Sequence, residues 1–227
     1  MSTESPPFLS ESMKDQGAGI FALRKLLKKA GYDLEVRFAP WERAKVIARS
    51  DASVGGIFPY AAKDLADFLY SKPIYRAKWV IVERKQNPIT WDKIEDLSKF
   101  TMGNVTGVEL RPGIKELAET NKLKVENAST DLNNLLKLAN KRIDFITMDA
   151  TVFKYQMWVE PKLQSFREAL QINPKFITVT EYGLALKKSP DHEALLKVFN
   201  KVSSFEEANR HIDFYLEHLQ DSSSKKK

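Results

Sequence analysis

The stretch Asp131–Trp158, DLNNLLKLANKRIDFITMDATVFKYQMW, decides the fold class. Leu132, Leu135, Leu136 and Ala139 recur at i, i+3, i+4 and i+7, the apolar stripe of an amphipathic helix, behind Ser129 and Thr130 as caps. Ile143 to Met148 then reads as an apolar strand ending at Asp149, and Ala150 to Trp158 reads as helix again. A strand fed and followed by helices belongs to an α/β chain with a mostly parallel sheet.

The same alternation extends in both directions. Upstream, Ile20–Ala30 reads as a helix closed by Gly31, and Leu34–Phe38 alternates like a strand. Pro40 opens a helix from Trp41 to Arg49, and Ala52–Phe58 and Lys78–Glu83 read as strands. After the polar run Arg84–Pro88, a candidate crossing between lobes, the pattern restarts. A helix over Trp91–Leu97 with Thr90 as cap precedes strand Phe100–Val105, the turn Thr106-Gly107, a helix from Pro112 and strand Lys122–Glu126. Downstream, Ser189-Pro190 and Ser204–Glu207 open two terminal helices, and Ser222–Lys227 reads as an unstructured tail.

Composition narrows the function classes. The 227 residues carry a net charge of +6, and half of that excess is the terminal run Lys225, Lys226 and Lys227. The body is only mildly basic, which argues against a groove that tracks nucleic-acid phosphates. Arg24, Lys25, Lys28 and Lys29 read as a solvated helix face, because no aromatics interleave them. Cys is absent, excluding disulfides, thiolate metal sites and cysteine nucleophiles. No apolar run reaches the ~18–20 residues of a membrane-spanning helix. His211 and His218 stand two helical turns apart, too far to share a metal, and no phosphate-loop, nucleophile-elbow or zinc-protease motif occurs. No metal, cofactor or catalytic residue is expected.

Several motifs carry a resemblance. Pro40-Trp41-x-Arg43-Ala44, Asp51-Ala52 and Tyr70-Ser71-Lys72-Pro73-Ile74-Tyr75 resemble, in order and spacing, the periplasmic solute-binding proteins of polar amino-acid ABC transporters, solute-binding family 3. Gly103-Asn104-Val105-Thr106-Gly107 resembles the family's second-lobe glycine turn. Lys141-Arg142-Ile143-Asp144-Phe145 followed by Asp149 resembles its G-R-x-D strand and ligand-facing acid, and Glu181–Leu186 its return crossing. The resemblance implies a two-lobed, type II periplasmic-binding fold with two hinge crossings and a ligand cleft. Lobe one is expected over residues 1–83 plus 181–227, and lobe two over 84–180. It also implies a monomer that passes a small polar solute to a membrane permease. The implied location is periplasmic, in a mature form, since Met1–Ser5 shows neither the basic nor the apolar part of a signal peptide.

The candidate ligand residues follow from the same alignment. Asp149 matches the acid that meets a ligand ammonium, and its place before a helix also suits an N-cap. Lys63 falls near the family's carboxylate-clamping arginine but supplies a point charge in place of a planar fork. Phe58 stands where a hydroxyl is common. Trp41, Phe58, Tyr60 and Tyr75 offer an aromatic wall, or core packing. Arg43 suits an anionic ligand group or a bracing salt bridge. Thr106 and Gly107 resemble the turn that receives a ligand carboxylate, and Gly56 permits either close ligand approach or tight packing. An enzyme of the cyclohexadienyl dehydratase kind and a sensory receptor are the alternatives on this scaffold, with binding and not catalysis expected.

Overall fold

The computed structural model describes residues 1–61 and 65–224, with side chains through Leu219. Its elements run α1 (Ala18–Lys29), α2 (Trp41–Ser50), β1 (Gly56–Tyr60), β2 (Phe68–Tyr70), β3 (Tyr75–Arg84), β4 (Thr101–Val105), α3 (Ile114–Glu119), β5 (Lys124–Ala128), α4 (Asp131–Ala139), β6 (Phe145–Asp149), α5 (Ala150–Val159), β7 (Leu170–Lys187), α6 (Pro190–Val202) and α7 (Phe205–Ser224). The chain divides into two compact units: Met1–Arg76 with Thr180–Lys227, and Ala77–Val179. It passes between them twice, within β3 and within β7. The polar run Arg84–Pro88 lies inside the second unit, where it turns the chain through an Arg84–Asn87 bridge.

In the second unit the strand order is β7-β3-β6-β4-β5. β4 pairs parallel with both β5 and β6, while β3 pairs antiparallel with β6, setting Trp79 opposite Asp149 and Glu83 opposite Phe145. β6 is buried on both faces, as a strand between helical layers must be. Ile81, Leu97, Met102, Ile114 and Phe145 form the fully buried core, each side chain contributing roughly 1.5–3 kcal/mol. The family-like Arg142-Ile143-Asp144 run has a bracing role. Asp144 receives the Arg84 guanidinium at 2.9 Å and the Thr101 N–H at 2.9 Å, tying β3, β4 and β6 together. Glu83, fully buried, accepts bonds from the Ile89 N–H and from the amides of Gln171 and Asn173, all at 2.8 Å.

The first unit differs from the expected mostly parallel sheet. β1 and β2 both pair antiparallel with the last third of β7, one on each of its edges. β7 itself is 18 residues long and runs on through Pro174 and Gly183. The expected strand Leu34–Phe38 is reduced to a single bridge from Phe38 to Ser2, since no neighbouring strand continues a ladder beside it. The expected helix Trp91–Leu97 is a 3-10 segment at Ile94–Lys99, started by Asp96, whose carboxylate takes the Asp92 and Lys93 N–H groups. The caps Thr130 and Ser189 accept the bonds expected of them, from the Asn133 and His192 N–H groups. α7 runs through Ser224, so the tail is helical further than expected; Lys225–Lys227 lie outside the described residues.

Candidate functional site

In open α/β sheets, ligands collect at the carboxyl ends of parallel strands, and in the second unit that edge holds Asp149, Thr106 and Gly107. Asp149 ends β6 and caps α5. Its Oδ1 accepts the Thr151 N–H at 2.7 Å and the Val152 N–H at 3.0 Å. The Lys78 N–H and the Thr151 hydroxyl also act on the carboxylate. Burial pushes its pKa up from the ordinary carboxylate value, and these four hydrogen bonds pull it back. A carboxylate offers about four acceptor positions, so protein donors engage the group fully.

Thr106 closes the turn after β4. Its N–H and its hydroxyl both donate to the Ala128 carbonyl, at 2.9 and 3.2 Å, locking the ends of β4 and β5 together. Gly107 follows at φ 81°, a left-handed conformation that favours glycine. Both residues are exposed. Asp131, in the first turn of α4 beyond β5, is half-buried and has no charged partner among the described residues; burial raises its pKa to about 6.

Two residues not singled out from sequence stand at the same edge. Trp79 faces Asp149 across the β3–β6 ladder, and directly opposed residues of an antiparallel pair project to one face. The guanidinium of Arg111, in the segment between β4 and α3, lies 4.1 Å from the centre of the Trp79 ring. The Arg111 Nε–H and the Trp79 Nε1–H are both shielded from solvent and have no acceptor among the described residues. Nothing local marks this pair in the sequence. Trp79 reads there as one more apolar strand residue, and its partners come from distant segments.

In the first unit the four candidate aromatics separate into two groups. Trp41 and Tyr60 lie 5.9 Å apart, with Tyr70 6.1 Å beyond Tyr60. Phe58 and Tyr75 join Phe8 and Tyr182, with Tyr75 stacked on both of the latter at 5.1 and 5.2 Å. A register shift in β1 between Ile57 and Tyr60 divides them: Tyr60 packs with Ile57 in the cluster formed with α2, while Phe58 packs with the second group. Phe58, Tyr60 and Tyr75 are buried. Trp41 is half-exposed, with the Lys45 ammonium 5.8 Å from its ring centre. Arg43 is exposed on α2 and makes no ion pair among the described residues. Gly56 is a packing glycine: a Cβ there would meet the Ala185 carbonyl oxygen at 2.2 Å. A groove of about 240 Å³ runs beside α1 and β1 and includes Gly56 and Phe58 in its lining, with Leu23, Leu27, Val36 and His192. Lys63 lies outside the described residues. No group of three or more potential metal ligands occurs, and no helix is long and apolar enough to cross a membrane, among the described residues.

No family model matches the chain, and no curated protein matches it. Solved structures do. An ancestral arginine-binding protein bound to arginine superposes with a TM-score of 0.69 at 21% identity, covering 94% of this chain and 96% of that one. The GluR0 ligand-binding core of Nostoc punctiforme in complex with L-glutamate gives 0.71 at 17% identity, over 94% and 96%. An arginine transport-system periplasmic binding protein from Legionella pneumophila gives 0.68 at 20% identity, over 94% and 97%. The class is thereby defined: the chain has the two-lobed, type II periplasmic-binding-protein-like α/β fold. At these identities the property held in common is the fold.

Proposed function

We propose that this chain is an extracytoplasmic solute-binding protein that captures a small polar solute, an amino acid or a related amine or carboxylate, and passes it to an ABC-type permease. The observation that carries this reading is the near end-to-end match, over 94% of the chain, to structures whose ligands are arginine and glutamate. Hinge motion within β3 and β7, the two strands that pass from one unit into the other, is the working movement in this reading. Asp149, Thr106 and Gly107 stand at the strand edge where such folds receive ligands. Asp149 acts by its charge while its oxygens hold α5, a role that suits recognition better than proton transfer. The protein is therefore read as a binder without turnover.

Mass spectrometry of solute released from the purified protein, with thermal-shift screening of amino acids and amines, tests the reading. A ligand at about 100 times its Kd adds roughly 2.7 kcal/mol of stability, a readily visible shift. Solution scattering with that ligand should show a smaller radius of gyration. Absence of any stabilising solute, or turnover of prephenate or arogenate, counts against it.

A further inference from the structure

We infer that Arg111, laid on the indole of Trp79, is the carboxylate-binding arm of the second unit; the inference rests on the solute-binding reading and names the ligand group it takes. Among the described residues Arg111 has one protein acceptor, the Glu109 carbonyl, which meets Nη2. Its Nε–H has none, and no carboxylate lies within ion-pair distance among the described residues. Glu109 pairs through its side chain with Lys115 at 3.3 Å, and Asp149 is engaged by its cap bonds.

A guanidinium stacked on an indole and left without an anion is a preorganised receptor. The indole holds the guanidinium in place, and its Nε–H has no acceptor among the described residues to compete with an incoming carboxylate. Shielded donors without acceptors are costly in the free protein, so an incoming carboxylate gains by satisfying them. Trp79 supplies a second such donor beside the first. Its register opposite Asp149 places the pair at the carboxyl end of β6. A cation-bearing arm and a capped carboxylate then stand at one edge without pairing to each other, a complement to a solute that carries a carboxylate and an amine.

The test is calorimetric titration of the twenty L-amino acids, succinate and the amines lacking the carboxylate (agmatine against L-arginine, for example). It uses the full chain and the variants R111Q, R111K and W79F, each checked for folding by its melting curve. In parallel, the nitrogen-15 NMR signals of the Arg111 Nε–H and the Trp79 indole N–H are followed in the wild-type protein. The expected result is binding of carboxylate-bearing solutes, loss of about tenfold or more in affinity in R111Q, partial retention in R111K, and movement of both N–H signals. Binding that R111Q leaves within about twofold, or an amine that binds as well as its amino acid, overturns the inference while leaving the solute-binding reading intact. If no solute in the panel binds the wild-type protein, both fall. Should R111Q fail to fold, R111K, the matched amine and amino-acid pairs and the NMR signals decide the question.

Discussion

The aromatic cluster around Tyr75 and the strand edge around Trp79 hold similar residue types in opposite states. Tyr75 stacks between Phe8 and Tyr182 with Phe58 against it, and both Tyr75 and Phe58 are buried. Trp79 is half-buried under a guanidinium, and both it and Arg111 retain a shielded N–H without an acceptor among the described residues. The first region is closed packing that stabilises the unit. The second keeps polar capacity that packing has left unused. Aromatic character alone does not distinguish a ligand wall from a core; the state of the polar atoms does.

Substitutions at the two regions should therefore separate stability from binding. Phe58→Ala should show the largest stability effect, about 3–5 kcal/mol lost in denaturant unfolding, because the cluster around Tyr75 cannot collapse onto the void. A loss below about 1 kcal/mol would show that this cluster is loosely packed and would undo the contrast.

Asp144→Ala comes next. It leaves the Arg84 guanidinium, whose side chain is 12% exposed, and the Thr101 N–H without their acceptor, at about 2–3 kcal/mol. A smaller loss, with Arg84 repaired by its bonds to the Leu138 and Ile143 carbonyls, would place the bracing in those contacts.

Asp131 sharpens the comparison through pH. Its folded pKa, about 6, lies above the 3.8 of the free side chain, so the folded state holds more protons between those values. Stability attributable to this group is then present below about pH 4, is lost as pH rises towards 6, and stays lost above it. Its half-burial, and a helix N-terminus that favours negative charge, limit the effect to about 1–2 kcal/mol. Asp131→Asn should be more stable than the wild type at pH 7 by that amount and lack this slope. A variant that keeps the slope assigns it to another group.

The smallest expected effect belongs to Asp149. Replacement by Ala removes the cap of α5 and should lower stability by about 1 kcal/mol, while Asn keeps one acceptor oxygen for the cap and should lose less than Ala. If Asn also leaves solute affinity unchanged, the charge of Asp149 has no part in binding.

Much of the architecture was legible along the chain. The periodic leucines of α4, its Thr130 cap, the apolar run of β6 and the Ser189-Pro190 start of α6 are local patterns with local causes, and each element formed where it was read. Where sheet membership departs from the sequence pattern, the cause is tertiary. Leu34–Phe38 has a strand pattern but no partner strand, and β7 has its partners despite Pro174 and Gly183. Sheet membership is a property of pairs. The candidate site was legible where a helix cap or a positive-φ glycine left a local signature, as at Asp149 and Gly107. Arg111 and Trp79 left none.

From its residues alone, this chain's α/β class, the α4 and α6 helices with their caps and its mild, tail-weighted charge could be derived, because periodicity, capping and charge act over a few residues. The tertiary structure decided which strands pair, where the chain passes between units, which aromatics are sealed in the core and which donors remain without acceptors. Those outcomes depend on contacts between segments far apart in sequence. The opposition of Trp79 and Asp149 exists only once β3 and β6 have met.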